Sequence, residues 1–285
     1  MQKPKVGILH PGNMGIFIAA SAQKGGCQVY WASDGRSIRT RERAERFNLL
    51  DAGTLAKLCD TCSVIVSVCP PHAAQDVAEQ VAAQGFAGLY LDANAISPQR
   101  TLRIGTALAD AGIAFVDGGI VGGPAWEKGK TWLYLSGDRA TEVAACFPAG
   151  PLEATIIGKE IGKASALKMC YAAWTKGSTA LLCAIVAAAS QLGVWEELQK
   201  QWERDWPGFP KQSTKRVLGT TAKAWRFAGE MEEISATLEA AGLPGGFHAA
   251  SADLYRRMAH FRDAPSAPQL REVLAALIGT AEKEG

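Results

Sequence analysis

The first half of the chain alternates short apolar, β-branched runs with amphipathic stretches. Runs at Lys5–Leu9, Gln28–Ala32, Ser63–Val68, Gly88–Asp92, Ala114–Asp117 and Thr131–Ser136 read as strands. Helical periodicity fills Met14–Lys24, Ile38–Phe47, Ala73–Ala83 and Pro98–Ala111. Such alternation, with strands apolar along nearly their whole length, predicts a parallel, doubly wound sheet covered on both faces. The pattern changes around Ile157–Gly162. Lys163 to Leu192 then reads as one long Ala-rich helix whose one weak point is Gly177. Further helices are expected at Glu196–Asp205, Ser213–Ala241, Phe247–Phe261 and Gln269–Lys283, punctuated by Pro207, Pro210, Pro244, Pro265 and Pro268.

Composition narrows what this pattern can serve. The 285 residues are 48% hydrophobic and carry a formal charge of +2, which suits two globular domains and gives no basic surface for nucleic acid. The densest apolar run, Ala180–Ala189, falls well short of the roughly 18–20 residues of a membrane span. The first strand begins within a few residues of Met1, leaving no length for a signal peptide, so a cytoplasmic protein without a membrane partner is expected. Seven cysteines, an odd number scattered along the chain, fit reduced thiols. Cys59-x-x-Cys62 has no second pair to complete a metal site and reads as two small semi-buried hydrophobes.

The first strand runs into His10-Pro11-Gly12-Asn13-Met14-Gly15. A strand, a glycine turn and a helix start make a phosphate-binding arrangement. The glycines permit a tight turn and close approach of a pyrophosphate to the free N–H groups of the helix N-terminus. Gly12, Asn13, Met14 and Gly15 are therefore candidate cofactor residues, with His10 standing where the first glycine of G-x-G-x-x-G belongs. The expectation is a Rossmann-like α/β domain over residues 1–160 and an all-α domain over 161–285. The second strand ends at Ser33-Asp34-Gly35-Arg36-Ser37, the segment that meets the adenosine ribose in such folds. Ser33, Arg36 and Ser37, with Arg39, Arg41 and Arg43 behind them, favour a 2′-phosphate and hence NADP over NAD, while Asp34 points the other way. Cys69 and Pro70, where the third strand ends, fall beside the cofactor; Cys69 and His72 read as packing and helix-entry residues rather than a nucleophile pair.

Four stations in order resemble the β-hydroxyacid dehydrogenase superfamily, which includes 3-hydroxyisobutyrate dehydrogenases, 6-phosphogluconate dehydrogenases and imine reductases. The phosphate loop matches Gly-Leu-Gly-x-Met-Gly except at His10. Leu91–Pro98 resembles Asp-x-Ser-Thr-x-x-Pro, with Asn94-Ala95 in place of the hydroxyl pair. Val116–Gly123 resembles the substrate loop Asp-Ala-Pro-Val-Ser-Gly-Gly, with Val121 in the serine's place. Gly162–Lys168 resembles Gly-x-x-x-x-x-Lys. The resemblance implies Lys168 as general acid/base, Asn94 beside the cofactor, and substrate contacts at Val121, Gly122 and Gly123. It also implies a homodimer paired through long helices.

The chain departs from the family pattern as well. Ala172 replaces an asparagine, Val121 cannot donate the serine's hydrogen bond, and Gly229-Glu230 replaces a Lys-Asp pair. Tyr171 and Glu230 are the remaining polar candidates for substrate contact. A less polar pocket follows, with Trp126, Trp132, Trp174, Trp225 and Phe227 as candidate walls and a bulkier or less charged substrate than 3-hydroxyisobutyrate. The leading expectation is an NADP-dependent oxidoreductase acting on a β-hydroxy acid or its keto counterpart. Imine reduction on the same scaffold and a non-catalytic NADPH-binding regulator are the alternatives.

Overall fold

The computed structural model describes residues 3–279. The chain forms two compact units, Met1–Met169 and Cys170–Gly285.

The first unit is built on one eight-stranded sheet. Its strands are β1 (Lys5–Ile8), β2 (Gln28–Trp31), β3 (Leu50–Asp51), β4 (Val64–Ser67), β5 (Leu89–Asp92), β6 (Ala114–Val121), β7 (Thr131–Ser136) and β8 (Leu152–Gly158). They lie in the order β3-β2-β1-β4-β5-β6-β7-β8. The first six are parallel, with Val6 opposite Val64, Leu89 opposite Ala114 and Asp92 opposite Asp117. β7 then runs antiparallel to β6, and β8 parallel to β7. The parallel, doubly wound sheet expected from the patterning is present, with one antiparallel pairing at this edge. The link from β6 to β7, residues 122–130, is shorter than the dozen or so residues a parallel crossover needs, so the chain can only turn back.

Alternate residues of the central strands feed two cores. Val6, Ile8, Val64, Val66, Leu89, Leu91 and Val116 meet α1 (Asn13–Lys24), α2 (Ile38–Arg46) and α6 (Ala140–Ala144) on one face. Ile65 and Tyr90 face the other way, toward α3 (Leu55–Thr61), α4 (Ala74–Ala82) and α5 (Pro98–Asp110). Burial on both faces explains why these strands read as continuous apolar runs.

The long helix expected from Lys163 is present over Lys163–Gln191. It comprises α7 (Lys163–Ala172), a π-helical turn at Ala173–Gly177 and α8 (Ser178–Gln191). By length and composition alone this helix could cross a membrane, but half of its most apolar window is buried inside the fold. The two units part at Met169/Cys170, within α7. The first turns of α7 lie on β6 and so belong to the sheet.

In the second unit, α8 buries Leu182, Cys183 and Val186 and packs with α10 (Phe209–Thr220), α12 (Gly246–Arg257) and α13 (Leu270–Ile278). The elements α9 (Trp195–Asp205) and α11 (Ala224–Ala240) complete it. The single helix expected over Ser213–Ala241 is in fact α10 and α11 joined by a 3₁₀ turn at Thr221–Lys223. There the Thr221 hydroxyl donates to the Leu218 carbonyl at 2.8 Å, offering the backbone a local alternative to the helix. The expected last helix is seen as far as Ile278; its continuation past 279 lies outside the described residues.

Candidate active site

The phosphate loop owes its shape to two glycines with different jobs. The Gly12 N–H donates to the His10 carbonyl at 2.8 Å, and the Gly12 carbonyl accepts from Ile16 N–H at 2.9 Å, closing the first turn of α1. A Cβ at Gly15 would run into the His10 carbonyl oxygen, so no larger residue fits without moving the helix. A Cβ at Gly12 would meet nothing within 4 Å. The protein itself therefore does not require glycine there, and the open space is what a phosphate approaching the backbone needs. The first amides of the helix, at Asn13, Met14 and Gly15, have no partner one turn back, and no acidic side chain occupies that turn.

Three arginines gather beside this loop. Arg36 Nη2 donates to the Leu9 carbonyl at 3.1 Å, Arg43 Nη1 to the Pro11 carbonyl at 3.1 Å, and Arg41 Nη2 to the Ser33 carbonyl at 2.6 Å. Among the described residues their partners are backbone carbonyls and none pairs with a carboxylate, so the positive charge is not neutralised. Ser33 is buried, Ser37 caps α2 through the Thr40 N–H at 3.3 Å, and Asp34 is exposed. The free amides and the arginines together fit a dinucleotide.

The carboxyl ends of β4 and β5 hold Cys69, Pro70 and Asn94. Asn94 is buried and braced: its Oδ1 accepts from Cys69 N–H at 2.6 Å, its Nδ2 donates to Ser67 Oγ at 3.1 Å, and its own N–H donates to Asp92 Oδ1 at 2.9 Å. Its side chain thus shapes the turn that carries Cys69 and Pro70. Burial, helped by the charge of Asp92, pushes the Cys69 thiol up to about 12, so it is no nucleophile at neutral pH. Asp92 is itself raised to about 7, chiefly by burial and against the hydrogen bonds from Asn94.

Lys168 is placed by β6. Gly119 has no room for a side chain, because a Cβ there would strike the Ala164 carbonyl and lie 3.1 Å from Lys168 Cβ. The helix therefore rests directly on the strand, with Lys168 near the carboxyl end of β6. Asp117 secures this contact. Its Oδ2 accepts from the backbone N–H groups of Gly162 (2.9 Å) and Ser165 (3.1 Å) and from Ser136 Oγ (3.0 Å), while Oδ1 accepts from Ser165 Oγ at 2.6 Å. Thr101 Oγ1 lies 2.8 Å from Ser165 Oγ. Burial raises the Asp117 carboxyl, and these bonds oppose the rise. The sequence reading overlooked this buried cap. Its only trace is a lone acid in an apolar strand and a serine in the first turn of the helix it holds.

Beyond Val121, which is buried, the chain turns at Gly122 with φ of 99°. A Cβ at Gly123 would meet open space. In the same loop Trp126 stacks on Phe47, with ring centroids 5.2 Å apart, and meets Phe17 edge-on at 5.3 Å. In the second unit Tyr171 is half-exposed and Trp174 is exposed. Glu230 is buried with its carboxylate against Lys176, whose ammonium also sits 4.5 Å over the Phe227 ring. Arg262 covers Trp225 at 4.0 Å.

Residues 5–147 match the NAD binding domain of 6-phosphogluconate dehydrogenase, and residues 189–258 match a domain of unknown function, DUF1932. The chain belongs to the β-hydroxyacid dehydrogenase superfamily. A relative in Methanothermus fervidus, an uncharacterised 28.5 kDa protein encoded beside a 7S RNA, is 28% identical over 73% of this chain and 80% of its own. A solved conserved protein of unknown function, described as structurally similar to 3-hydroxyacid dehydrogenases, is 25% identical with a TM-score of 0.65, covering 91% of this chain and all of that one (100%). A 3-hydroxyisobutyrate dehydrogenase from Mycobacterium tuberculosis, solved with L-serine, shares the fold at a TM-score of 0.69 and 15% identity, over 98% of this chain and 100% of its own. The phosphate loop and the Gly119–Lys168 contact thus lie in an NAD-binding dehydrogenase fold.

Proposed function

We propose that the protein is an NADP-dependent oxidoreductase acting on a β-hydroxy acid or its keto counterpart, with Lys168 handling the proton at the substrate oxygen. The observation that carries this reading is the packing of Lys168 on Gly119 at the carboxyl edge of the sheet, the same edge as the phosphate loop. Ligands of open α/β sheets bind along that edge. β1 and β6 are separated by β4 and β5, so a ligand held at α1 has about 14 Å of strand ends to cross before reaching the lysine. An extended dinucleotide spans such a distance. When bound, the nicotinamide supplies or accepts the hydride. The chain's own part is to anchor the phosphates on the α1 amides, to hold the adenosine end with Ser33, Arg36 and Ser37, and to hold Lys168 beside the reacting oxygen. The open backbone at Gly123 suits an acidic group of the substrate, and buried Val121 makes that side of the loop apolar.

The unneutralised arginines favour NADP over NAD. Along the long helix and at its C-cap, Tyr171, Trp174, Leu181 and Leu192 remain exposed, which supports a homodimer that covers them. The deciding experiment follows NADPH and NADH oxidation across β-keto acids, aldehydes and cyclic imines, with Lys168→Ala in parallel. Carbonyl turnover that falls by about 10²–10⁴ in the variant while NADPH still binds is the expected result. Turnover that survives the substitution would remove Lys168 from the chemistry. A preference for imines would replace the proposed substrate class.

A further inference from the structure

His10 occupies a position where the loop could have carried glycine, and its main chain alone does the structural work. The carbonyl accepts from Gly12 and packs against Gly15. The imidazole is left with an enclosed Nδ1 that has no hydrogen-bond partner among the described residues. The neighbouring Arg36 is similar: Nη2 is tied to the Leu9 carbonyl, while Nε is enclosed and without a partner. Two enclosed donors or acceptors side by side, one cationic, are costly unless something polar arrives to use them. Both stand at the end of the phosphate loop that faces the second strand, where the adenosine ribose lies in such folds.

We infer that His10 and Arg36 together seat the 2′-phosphate of the dinucleotide, and that His10 takes up a proton from solvent as this phosphate arrives. The inference rests on the NADP reading above. Burial, with Arg36 beside it, holds the free imidazole down to about 4, so it is neutral before binding. The other charged groups of the neighbouring segment are Arg41 and Arg43, held at the Ser33 and Pro11 carbonyls, and Asp34, Arg39, Glu42, Glu45 and Arg46, all exposed. The first turn of α1 brings no acid. A phosphate dianion set between Arg36 and His10 reverses this balance, because an opposite charge at hydrogen-bond distance favours the imidazolium. The imidazolium then donates to a phosphate oxygen, and Arg36 Nε gains its missing acceptor. Free phosphate monoesters lose their second proton near pH 6, so above that pH the incoming group is a dianion and the proton must come from solvent.

The test is calorimetric and needs no substrate. Binding of 2′,5′-ADP and of 5′-AMP is measured at pH 6.5 in buffers of different ionisation enthalpy, for wild type, His10→Asn, His10→Gly and Arg36→Gln. Wild type is expected to take up about one proton more with 2′,5′-ADP than with 5′-AMP, and both His10 variants to lose that excess. The affinity advantage of wild type over His10→Asn for 2′,5′-ADP should grow as pH falls from 7.5 to 6, approaching ~10-fold per unit. Arg36→Gln should lose the preference for the 2′-phosphate. Equal proton uptake and affinity in wild type and both His10 variants, with 2′,5′-ADP still preferred, would overturn the role of His10 and leave the NADP reading standing. Equal binding of 2′,5′-ADP and 5′-AMP to wild type would overturn both. His10→Gly restores the usual loop residue, so its binding of 5′-AMP reports that the loop is folded.

Discussion

Asp92 makes the stability of this protein fall as pH rises toward neutrality. The carboxyl is fully enclosed at the end of β5, with Oδ1 accepting from the Asn94 N–H and Oδ2 without a partner among the described residues. Burial dominates its titration, the neighbouring Asp117 adds to the rise and Arg100 opposes it, and the result is a rise from 3.8 to about 7. Between about pH 4 and 7 the folded chain keeps a proton that the unfolded chain has released. The native state then binds more protons, so unfolding free energy declines with pH across this window and levels off above it. A rise of about three units corresponds to at most ~4 kcal/mol lost between the two ends. Asp92→Asn cannot ionise, and an amide retains the acceptor for the Asn94 N–H. It should match wild type within about 1 kcal/mol near pH 4.5 and exceed it by up to ~4 kcal/mol at pH 8. Urea unfolding followed by far-ultraviolet circular dichroism at several pH values reads this directly. Parallel stability curves for the two proteins would refute the reasoning, as would a variant less stable than wild type at pH 8.

Other substitutions separate the roles assigned to the site. Gly15→Ala forces a methyl into the His10 carbonyl and should weaken NADPH binding at least ~10-fold, read by nucleotide fluorescence titration. Asp117→Ala leaves the buried N–H groups of Gly162 and Ser165 without their acceptor and removes the acceptor of the Ser136 and Ser165 hydroxyls. It should cost about 3–5 kcal/mol in urea unfolding. Light scattering at micromolar concentration should give twice the chain mass, and Trp174→Glu on the exposed helix face should reduce it to the monomer.

The sheet was legible where burial on both faces leaves uninterrupted apolar runs, as in β1, β4 and β5. It was illegible at the edges. β3 is only Leu50–Asp51, and the far edge strand β8 has mostly exposed or half-exposed residues, so neither carries a periodic signal. The strand expected over Ala114–Asp117 runs on through Gly118-Gly119 to Val121. In the sheet those residues are flat strand made of glycine for clearance: a Cβ at Gly118 would lie 2.9 Å from Leu91 Cδ1, and one at Gly119 would strike α7. A glycine demanded by a neighbour's approach and a glycine demanded by a turn look alike in one dimension.

That distinction bears on how the site is assembled. Gly12 and Gly123 face open space, whereas Gly15 and Gly119 are pressed by the protein's own backbone. The first pair leaves room for ligand; the second pair fixes the helices that present the α1 amides and Lys168. Asp117 fastens the second of those helices from beneath, using a charge that burial penalises and four donors compensate. The polar substrate contacts that the resemblance implies are changed at Val121 and Ala172, while the close-packed glycines and the Asp117 cap hold α1 and α7 in place. Under the function proposed above, altered contacts over this support fit a dehydrogenase turned toward a different substrate better than a non-catalytic NADPH-binding regulator.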